Sequence, residues 1–383
     1  MPELGDIIGQ DGALARIQRG LSSARVPQAL LFVGPDGVGR RTAAVALAKT
    51  VLCRKPRRRG NAGRLAELPA DFSLRSACGG CASCRALEAG THADFHLVYK
   101  ELARYHEDPK VRDRVMQELG IDVIRDFLIA PAGRRSAAGT GKVFVVLEAE
   151  LMSAEAQNSL LKTLEEPPPG VTIILISETA EELLPTTLSR CWMVNFAPLP
   201  QAFVRERLAA AGVGKAEAEY WAAYTEGALG QALRLAEQGM YKVKRDLLAA
   251  VSAEGGEGMD LAGRLEKAAE RLAAQLAAEV KQQEGAELSR LLATRRAAAV
   301  ILGLLAGFFR DALTVATGAD RPLVNADQAV CVRSLAGRFG TARLAGVIEQ
   351  LSEYEGLLWR NVNPPLVWEN AAITVSSAQP LRL

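Results

Sequence analysis

The stretch LFVGPDGVGRRT, residues 31–42, has the outline of a phosphate-binding loop. In a working loop of the form G-x-x-x-x-G-K-[ST], backbone N–H groups cradle the phosphates, the lysine reaches the β and γ groups, and the hydroxyl holds Mg²⁺. The backbone part is present as three glycines: Gly34, Gly37 and Gly39. Two arginines, Arg40 and Arg41, stand where the lysine and the hydroxyl residue belong.

These replacements work against nucleotide chemistry. The planar fork of Arg40 is a poor substitute for a compact ammonium group in a closely wrapped loop, and Arg41 offers a positive charge to a cation. Thr42 cannot supply the missing hydroxyl, because one step along a helix rotates a side chain by about 100°. We therefore expect ATP to bind weakly or not at all, although the loop could still hold sulfate or phosphate.

A second group of residues has the spacing of a metal site. A C-x2-C-x2-C motif and one cysteine upstream of it bring together Cys53, Cys78, Cys81 and Cys84. Four thiolates close a tetrahedral Zn²⁺ site with no open position, so the spacing predicts structural zinc. Idle reduced cysteines, an iron–sulfur cluster, and ligation by His92 or His96 remain alternatives. Cys331, in the later part of the chain, is predicted to be a small buried apolar residue.

Length and charge limit the class of protein. The chain has 383 residues, which suits two or three domains. It has 46 Lys and Arg against 44 Asp and Glu, so its net charge of +2 excludes a strong whole-molecule attraction to nucleic acid. Any DNA contact must then be local, and the basic residues of 54–59 could touch phosphates or form a solvated loop.

The chain shows no signal for export or for a membrane. Its beginning, MPELGDIIGQ, lacks the basic and apolar regions of a signal peptide. The apolar run 297–309 is shorter than a bilayer span and is bracketed by arginines, which favours a buried helix. Because cysteines with metal-like spacing are typical of a reducing compartment, a cytoplasmic protein is predicted.

Apolar runs indicate the elements that must position these residues. Residues 28–33 form a short strand that leads into the glycine loop and a helix, and 142–150 and 171–177 have the continuous apolar character of strands buried on both faces. Between them, a helix ends at Glu165 and Glu166, before three prolines. Strands alternating with helices predict a parallel, doubly wound sheet over about the first 200 residues. Residues 54–77 lack apolar periodicity and are predicted to be an exposed excursion.

The remainder of the chain is predicted to be helical. Apolar residues recur at helical spacing with charges between them, at Leu261, Leu265, Leu272, Leu276 and Val280. This pattern favours a helical bundle, in which Trp359 and Trp368 would be core anchors.

Taken together, these motifs resemble the bacterial DNA polymerase III clamp loader, a five-subunit machine of the AAA+ family. The resemblance rests on QALLFVGPDGVGRRT, the four cysteines, AGTHADFH, AQNSLLKTLEEPPPG and TTLSRC, with a looser match at NVNPPLVWENAAI. It implies an α/β AAA+ P-loop domain at 1–198 with a zinc-binding module at about 53–84. A helical lid at 199–240 and an α-helical collar at 241–383 would follow.

The family contains ATPase subunits, gamma or tau, and a related type, delta prime, that typically has lost nucleotide chemistry. By resemblance, the Asp-Glu pair of the ATPases falls on Leu147 and Glu148, and the sensor arginine of the lid falls on Gly230. Leu147 removes a carboxylate that helps to hold Mg²⁺. Together with the two arginines of the glycine loop, these losses resemble the delta prime type, so no intrinsic ATPase activity is expected.

The motif LSRC is intact. In the family, its arginine reaches the ATP site of a neighbouring subunit, where a guanidinium stabilises charge on the transferring phosphoryl group. The resemblance assigns this role to Arg190. It implies a non-catalytic subunit that assembles with gamma/tau ATPase subunits and the delta subunit to load the sliding clamp (beta) on primer–template DNA.

Two other functions stay open from the sequence. One is an active ATPase of the gamma/tau kind, against which Arg40, Arg41, Leu147 and Gly230 argue. The other is a zinc-dependent DNA-binding protein with an AAA+ fold, which would bind DNA tightly and in a salt-sensitive way.

Overall fold

The structure is a computed structural model that describes residues 3–23, 27–112, 118–253, 258–284, 290–359 and 362–377. The chain divides into two compact units. The first contains Met1–Pro200 and Gly227–Gly230, and the second contains Gln201–Glu226 and Gln231–Leu383.

A five-stranded parallel sheet forms the centre of the first unit. Its strands are β1 Ala29–Val33, β4 Phe95–Val98, β5 Lys142–Val146, β6 Val171–Ser177 and β7 Trp192–Asn195. Their order in the sheet is β4-β5-β6-β1-β7. Every residue of β5 and β6 is buried, as their largely apolar sequences predict. The predicted parallel sheet is confirmed. The strand predicted at 142–150 is shorter, because the backbone turns into the left-handed region at Glu148 (φ 49°).

Helices cover both faces of this sheet. They are α1 Asp11–Ser22, α2 Arg40–Val51, α3 Ala82–Glu88, α4 Pro109–Arg112, α5 Ile121–Ile124, α6 Ala130–Ala132, α7 Ala154–Glu165 and α8 Pro185–Leu188. Short 3-10 turns at Leu4–Asp6, Lys100–Tyr105 and Ala149–Leu151, and a π turn at Arg125–Ile129, complete the set. Because side chains alternate along a strand, Leu30 and Phe32 enter the apolar core on one face and Leu31 enters the core on the other.

Residues 54–77 are better ordered than predicted. They contain an antiparallel ribbon of β2 Arg57–Gly60 and β3 Ser73–Ser76. The amide group of Asn61 closes its end by donating to the carbonyls of Leu65 and Leu68, both at 2.9 Å. Sequence periodicity missed the ribbon because β2 is exposed along its whole length and buries no apolar side chain.

Among the described residues of the second unit, the regular elements are all helical. The helices are α9 Gln201–Ala210, α10 Lys215–Tyr224, α11 Leu229–Glu237, α12 Met240–Ser252, α13 Gly258–Glu284, α14 Arg290–Thr317, α15 Ala329–Arg338, α16 Thr341–Trp359 and α17 Pro364–Ser376, with a 3-10 turn at Ala326–Gln328. The first two residues of α11 belong to the first unit. The helical prediction is confirmed.

Helix α14 is the core helix of this unit. Its segment Leu292–Thr317 is long and apolar enough to cross a bilayer, so the argument from length was wrong. More than half of that segment is nevertheless buried, and Phe308 and Phe309 are fully enclosed where α14 packs with α13, α15 and α16. Arg295 is buried within the same helix. The prediction of a buried helix is confirmed.

Two smaller predictions have different outcomes. Trp368 is fully buried in the helical core, as predicted. Trp359 is the last residue of α16, and its side chain lies outside the described part of the structure. Cys331 is only partly buried, so the prediction of a buried apolar cysteine is wrong.

Candidate functional site

The glycine loop joins β1 to α2 and keeps the shape of a phosphate loop. Gly34, Gly37 and Gly39 have φ values of 152°, 79° and 104°, a region that side chains disfavour. A Cβ atom at Gly34 would collide with the carbonyl oxygen of Phe196. Gly39 caps the first turn of α2. The glycines are therefore required by the turn itself, whether or not an anion binds.

The chain's own carboxylates surround the arginine at the lysine position. Arg40 is only 6% exposed, and its Nη2 lies 3.9 Å from Asp36 Oδ1 and 3.9 Å from Glu178 Oε1. Burial lowers the pKa of Arg40, and the nearby charges of Asp36, Glu178 and Glu150 oppose that shift. The positive charge of the Arg40 guanidinium is thus balanced by carboxylates of the same chain, without a bound phosphate.

These acids also make the loop unfavourable for a polyanion. Burial raises the pKa of Glu178, and Asp36 raises it further while Arg40 lowers it. Burial also raises the pKa of Glu150, whose Oε2 is buried and makes no hydrogen bond within the described residues. Asp36 and Glu178 are themselves exposed, and a triphosphate would add several negative charges beside them, so its binding would be opposed electrostatically.

The side chains at the other positions that the resemblance singles out have contacts of different kinds. Leu147 packs against the apolar core on one face of the sheet. The carboxylate of Glu148 lies 3.1 Å from the buried amine of Lys100, in an ion pair. Arg41 and Thr42 are exposed residues of α2.

Gly230 lies against the glycine loop. Its N–H donates to the carbonyl of Gly37 at 2.8 Å, and a Cβ atom there would lie 3.1 Å from that oxygen. At the position where the resemblance predicts a sensor arginine, the backbone of Gly230 therefore packs directly against the backbone of Gly37. Of the altered positions, Gly230 and the glycine loop are thus in direct contact.

Arg190 lies between α8 and β7, away from the glycine loop in sequence, and is held by α7. Its Nε and Nη2 donate to Glu165 Oε2 at 3.3 and 3.2 Å, and its Nη1 donates to the Thr186 carbonyl at 3.0 Å. The side chain remains 29% exposed. Glu165 was predicted to finish a helix, and its ion pair with Arg190 was not predicted.

Gln157 is a second residue that sequence reasoning missed. Its buried side-chain oxygen accepts from the N–H of Leu184 at 2.8 Å and from the hydroxyl of Thr187 at 3.2 Å. These bonds fix α8, and with it Arg190, to α7. The only signal in the sequence was a polar residue on the buried face of a helix.

The four cysteines form a compact cluster within unit one. All four Sγ atoms lie within 4.8 Å of one another, with Cys53–Cys81 and Cys78–Cys84 at 3.9 Å and Cys81–Cys84 at 3.5 Å. The edges of a tetrahedron with Zn–S bonds of about 2.3 Å measure about 3.8 Å. Within the described residues, this group could hold a metal ion, and its geometry is compatible with zinc.

The backbone also favours thiolates here. The N–H of Cys78 donates to Cys53 Sγ and that of Cys81 donates to Cys78 Sγ, both at 3.3 Å. Burial opposes ionisation of Cys81, but hydrogen bonds from the backbone of Cys84 and Arg54 outweigh it and lower its pKa to about 6. Burial raises the pKa of Cys84 to about 12. A divalent cation would resolve this conflict, because it stabilises the thiolate form of every ligand.

Neither histidine belongs to the cluster. The Nε2 of His92 lies 2.8 Å from Ser83 Oγ, and its Nδ1 accepts from the N–H of Asp94 at 3.1 Å. His96 stacks on Phe144 with ring centroids 4.6 Å apart, and burial lowers its pKa. His92 instead supports the start of α3, which carries Cys84.

Comparisons with known proteins agree with this architecture. A family profile described as DNA polymerase III, delta subunit, matches residues 9–200, and one described as DNA polymerase III, delta subunit, C terminal, matches residues 265–376. The chain is 35% identical over 179 residues to the delta prime subunit of DNA polymerase III from Pseudomonas aeruginosa, covering 47% of this chain and 45% of that protein.

Two further similarities are more distant. The tau subunit from Escherichia coli is 30% identical over 203 residues, covering 53% of this chain and 27% of that protein. A solved gamma subunit-related protein from Thermotoga maritima covers 95% of this chain and 98% of its own, at 16% identity and a TM-score of 0.39, which is too low to inform function. The chain spans about half or less of the length of these curated relatives. Since the first profile covers half of the sequence, the chain belongs to the DNA polymerase III delta-subunit family.

Proposed function

We propose that this chain is a non-catalytic subunit of a bacterial replicative clamp loader. It would assemble with gamma/tau ATPase subunits and a delta subunit in the cytoplasm and help to load the sliding clamp on primer–template DNA. Residues 1–198 would be its AAA+ domain, 199–240 its lid and 241–383 its collar, through which the subunits associate. The observation that carries the proposal is that Arg40, at the lysine position, is buried against Asp36 and Glu178 of its own chain.

Loss of intrinsic ATP hydrolysis follows from several features that act in the same direction. The loop's cation is balanced internally, and Leu147 provides no oxygen for Mg²⁺. Glu148 is engaged by Lys100, and Gly230 provides no guanidinium. Weak occupancy by an anion would remain compatible with the glycine loop, but turnover would not.

Arg190 would serve a neighbouring subunit. It is partly exposed, at the end of a short helix that Gln157 fixes in place, and its guanidinium is already oriented by Glu165 and the Thr186 carbonyl. A preoriented guanidinium loses less conformational freedom on meeting a phosphoryl group, which suits an arginine finger. The four cysteines would hold structural Zn²⁺, since they leave no coordination position for a substrate.

Reconstitution with ATPase partners tests the proposal. We expect DNA- and clamp-stimulated ATP turnover of the assembled loader to fall when Arg190 is replaced by Ala and to recover only partly with Lys. An arginine finger raises kcat about 10³–10⁵-fold at the ATP site that it serves. The total ATP turnover of the loader should therefore fall by at least the fraction that this one site contributes. Arg205→Ala, at an exposed arginine of α9, is the matched control.

The outcomes separate the candidate functions. Unchanged turnover of a fully assembled Arg190→Ala complex would remove the arginine assignment. ATP hydrolysis by the isolated chain would instead favour an active ATPase of the gamma/tau kind, which the 30% identity to tau keeps as the second candidate.

A further inference from the structure

A strongly basic segment precedes and includes strand β2. Residues 54–60 are all exposed, and five of the seven are Arg54, Lys55, Arg57, Arg58 and Arg59. No acidic residue occurs between Cys53 and Glu67, whereas the net charge of the whole chain is only +2. The positive charge is therefore concentrated on this one ribbon, and the rest of the chain is net negative.

The arginine side chains of β2 are not engaged by other described residues. Within the part of the chain that the structure describes, the side chains of Arg57, Arg58 and Arg59 make no ion pair or hydrogen bond. Arg40 and Arg190, in contrast, are held by carboxylates of the same chain. Three guanidinium groups in solvent on one strand are thus free to meet an anionic partner.

The ribbon retains an unfavourable pairing and is held in place by other contacts. Arg58 lies directly opposite Arg75, and like charges in that position destabilise a ribbon. Arg75 lies on the same face of the ribbon as Arg58 and turns toward α1, where its Nη1 donates to the Leu21 carbonyl at 2.6 Å and its N–H donates to Gln18 Oε1 at 2.8 Å. Arg58 remains exposed. The ribbon backbone is therefore fixed in place while it carries exposed positive charges.

We propose that this basic ribbon, residues 54–60, contacts the phosphate backbone of duplex nucleic acid without reading its sequence. Arginine forks match phosphate geometry, and alternate residues of a strand, such as Arg57 and Arg59, are about 6.7 Å apart, close to the separation of successive phosphates. The segment contains no aromatic side chain on which an unpaired base could stack, which favours a duplex over a single strand. The contact is separate from the role of Arg190.

Duplex binding by the isolated full chain tests this proposal. The probe is a fluorescein-labelled duplex of about three helical turns and arbitrary sequence, followed by anisotropy at several KCl concentrations. We expect a dissociation constant of about 10⁻⁴–10⁻⁶ M near physiological salt, tightening as salt is lowered. Replacing Arg57, Arg58 and Arg59 together by Gln should weaken binding and reduce the slope of log K against log salt by about 1.8 to 2.7, or 0.9 for each of two or three lost contacts.

The control removes the same charge elsewhere. Arg205, Arg321 and Arg333 are exposed residues of the other unit, and their combined replacement by Gln should leave the slope unchanged. A ribbon triple variant with the same unfolding midpoint as wild type but unchanged duplex binding would overturn the proposal. Tighter binding to a single strand of equal length, or loss of a protein partner with duplex binding intact, would also overturn it. Because no ATPase partner is present, these outcomes are independent of the proposed function.

Discussion

The backbone N–H of Gly230 donates a 2.8 Å hydrogen bond to the carbonyl of Gly37, inside the glycine loop. The two backbones therefore pack closely at the position where the family resemblance predicts a sensor arginine. Any Cβ atom at position 230 would lie 3.1 Å from the Gly37 oxygen and 3.2 Å from its Cα, so the loop would have to shift to admit one.

Substitution of Gly230 should therefore destabilise the protein without restoring nucleotide binding. We expect Gly230→Ala and Gly230→Arg to lower the free energy of unfolding by about 1 kcal/mol, because the loop backbone must move to accommodate a side chain. Urea denaturation measures this change, and a fluorescent ATP analogue should show no gain in binding. Gly263→Ala, in α13 with open space around it, should instead be neutral or stabilising.

Removal of Arg40 should have a pH-dependent cost. Burial already raises the pKa of Glu178 and Glu150, and Arg40 is the cation that opposes this shift. A raised carboxyl pKa contributes stability below the unfolded-state pKa, and that stability is lost as pH rises through the folded-state value. Arg40→Gln would raise both values further, so its destabilisation should be larger at pH 8 than at pH 4. Equal destabilisation at the two pH values would contradict the ion-pair interpretation.

Glu165 should act as a positioning residue for Arg190. In a reconstituted loader, Glu165→Gln should reduce the maximal ATP turnover more than it changes the KM for ATP, because Gln still packs but no longer holds the guanidinium by charge. Glu166→Gln is the matched control, since this neighbour is exposed and makes no side-chain hydrogen bond to another described residue. A change in KM alone would show that Glu165 affects nucleotide binding instead.

Metal removal should unfold the cysteine module. We expect one Zn²⁺ per purified chain by elemental analysis and four fewer reactive thiols than after chelation. Free metal at 1,000 times its dissociation constant adds about 4 kcal/mol to the free energy of unfolding. Cys81→Ser or chelation should therefore clearly lower the midpoint of thermal unfolding. Cys331→Ser should change neither metal content nor this midpoint by more than a small amount. A purified chain without metal would refute the zinc assignment.

Lys244 should be a large single contributor to the stability of the helical unit. It is 0% exposed, its Nζ lies 2.6 Å from Asp327 Oδ1, and the amine stands 4.1 Å from the ring centre of Tyr220. Lys244→Met would leave a carboxylate with no cation, so a loss of about 3–5 kcal/mol is expected. Adding Asp327→Asn should recover part of that loss in a double-mutant cycle, whereas strictly additive losses would contradict direct pairing.

Periodicity and motif spacing predicted the central strands and the helical second unit. The apolar runs that became β1, β5 and β6 are continuous because both sheet faces are covered, and that pattern is visible in sequence. Ribbon β2–β3 was not predicted, because exposed arginines carry no periodic signal. The length argument for α14 failed because one apolar run does not show where its helix ends.

By itself, the sequence determined which residue types stand at the altered positions: two arginines in the glycine loop, an aliphatic Leu147 and a glycine at 230. It also predicted that four cysteines could meet, since three of them share a local C-x2-C-x2-C motif and one lies upstream. Only the tertiary structure decided which residues pair with Arg40, Glu148 and Arg190, because these partners are distant in sequence. Glu178 balances Arg40, Lys100 engages Glu148, and Glu165 holds Arg190. Such pairings depend on which strand ends and helix termini the fold brings together.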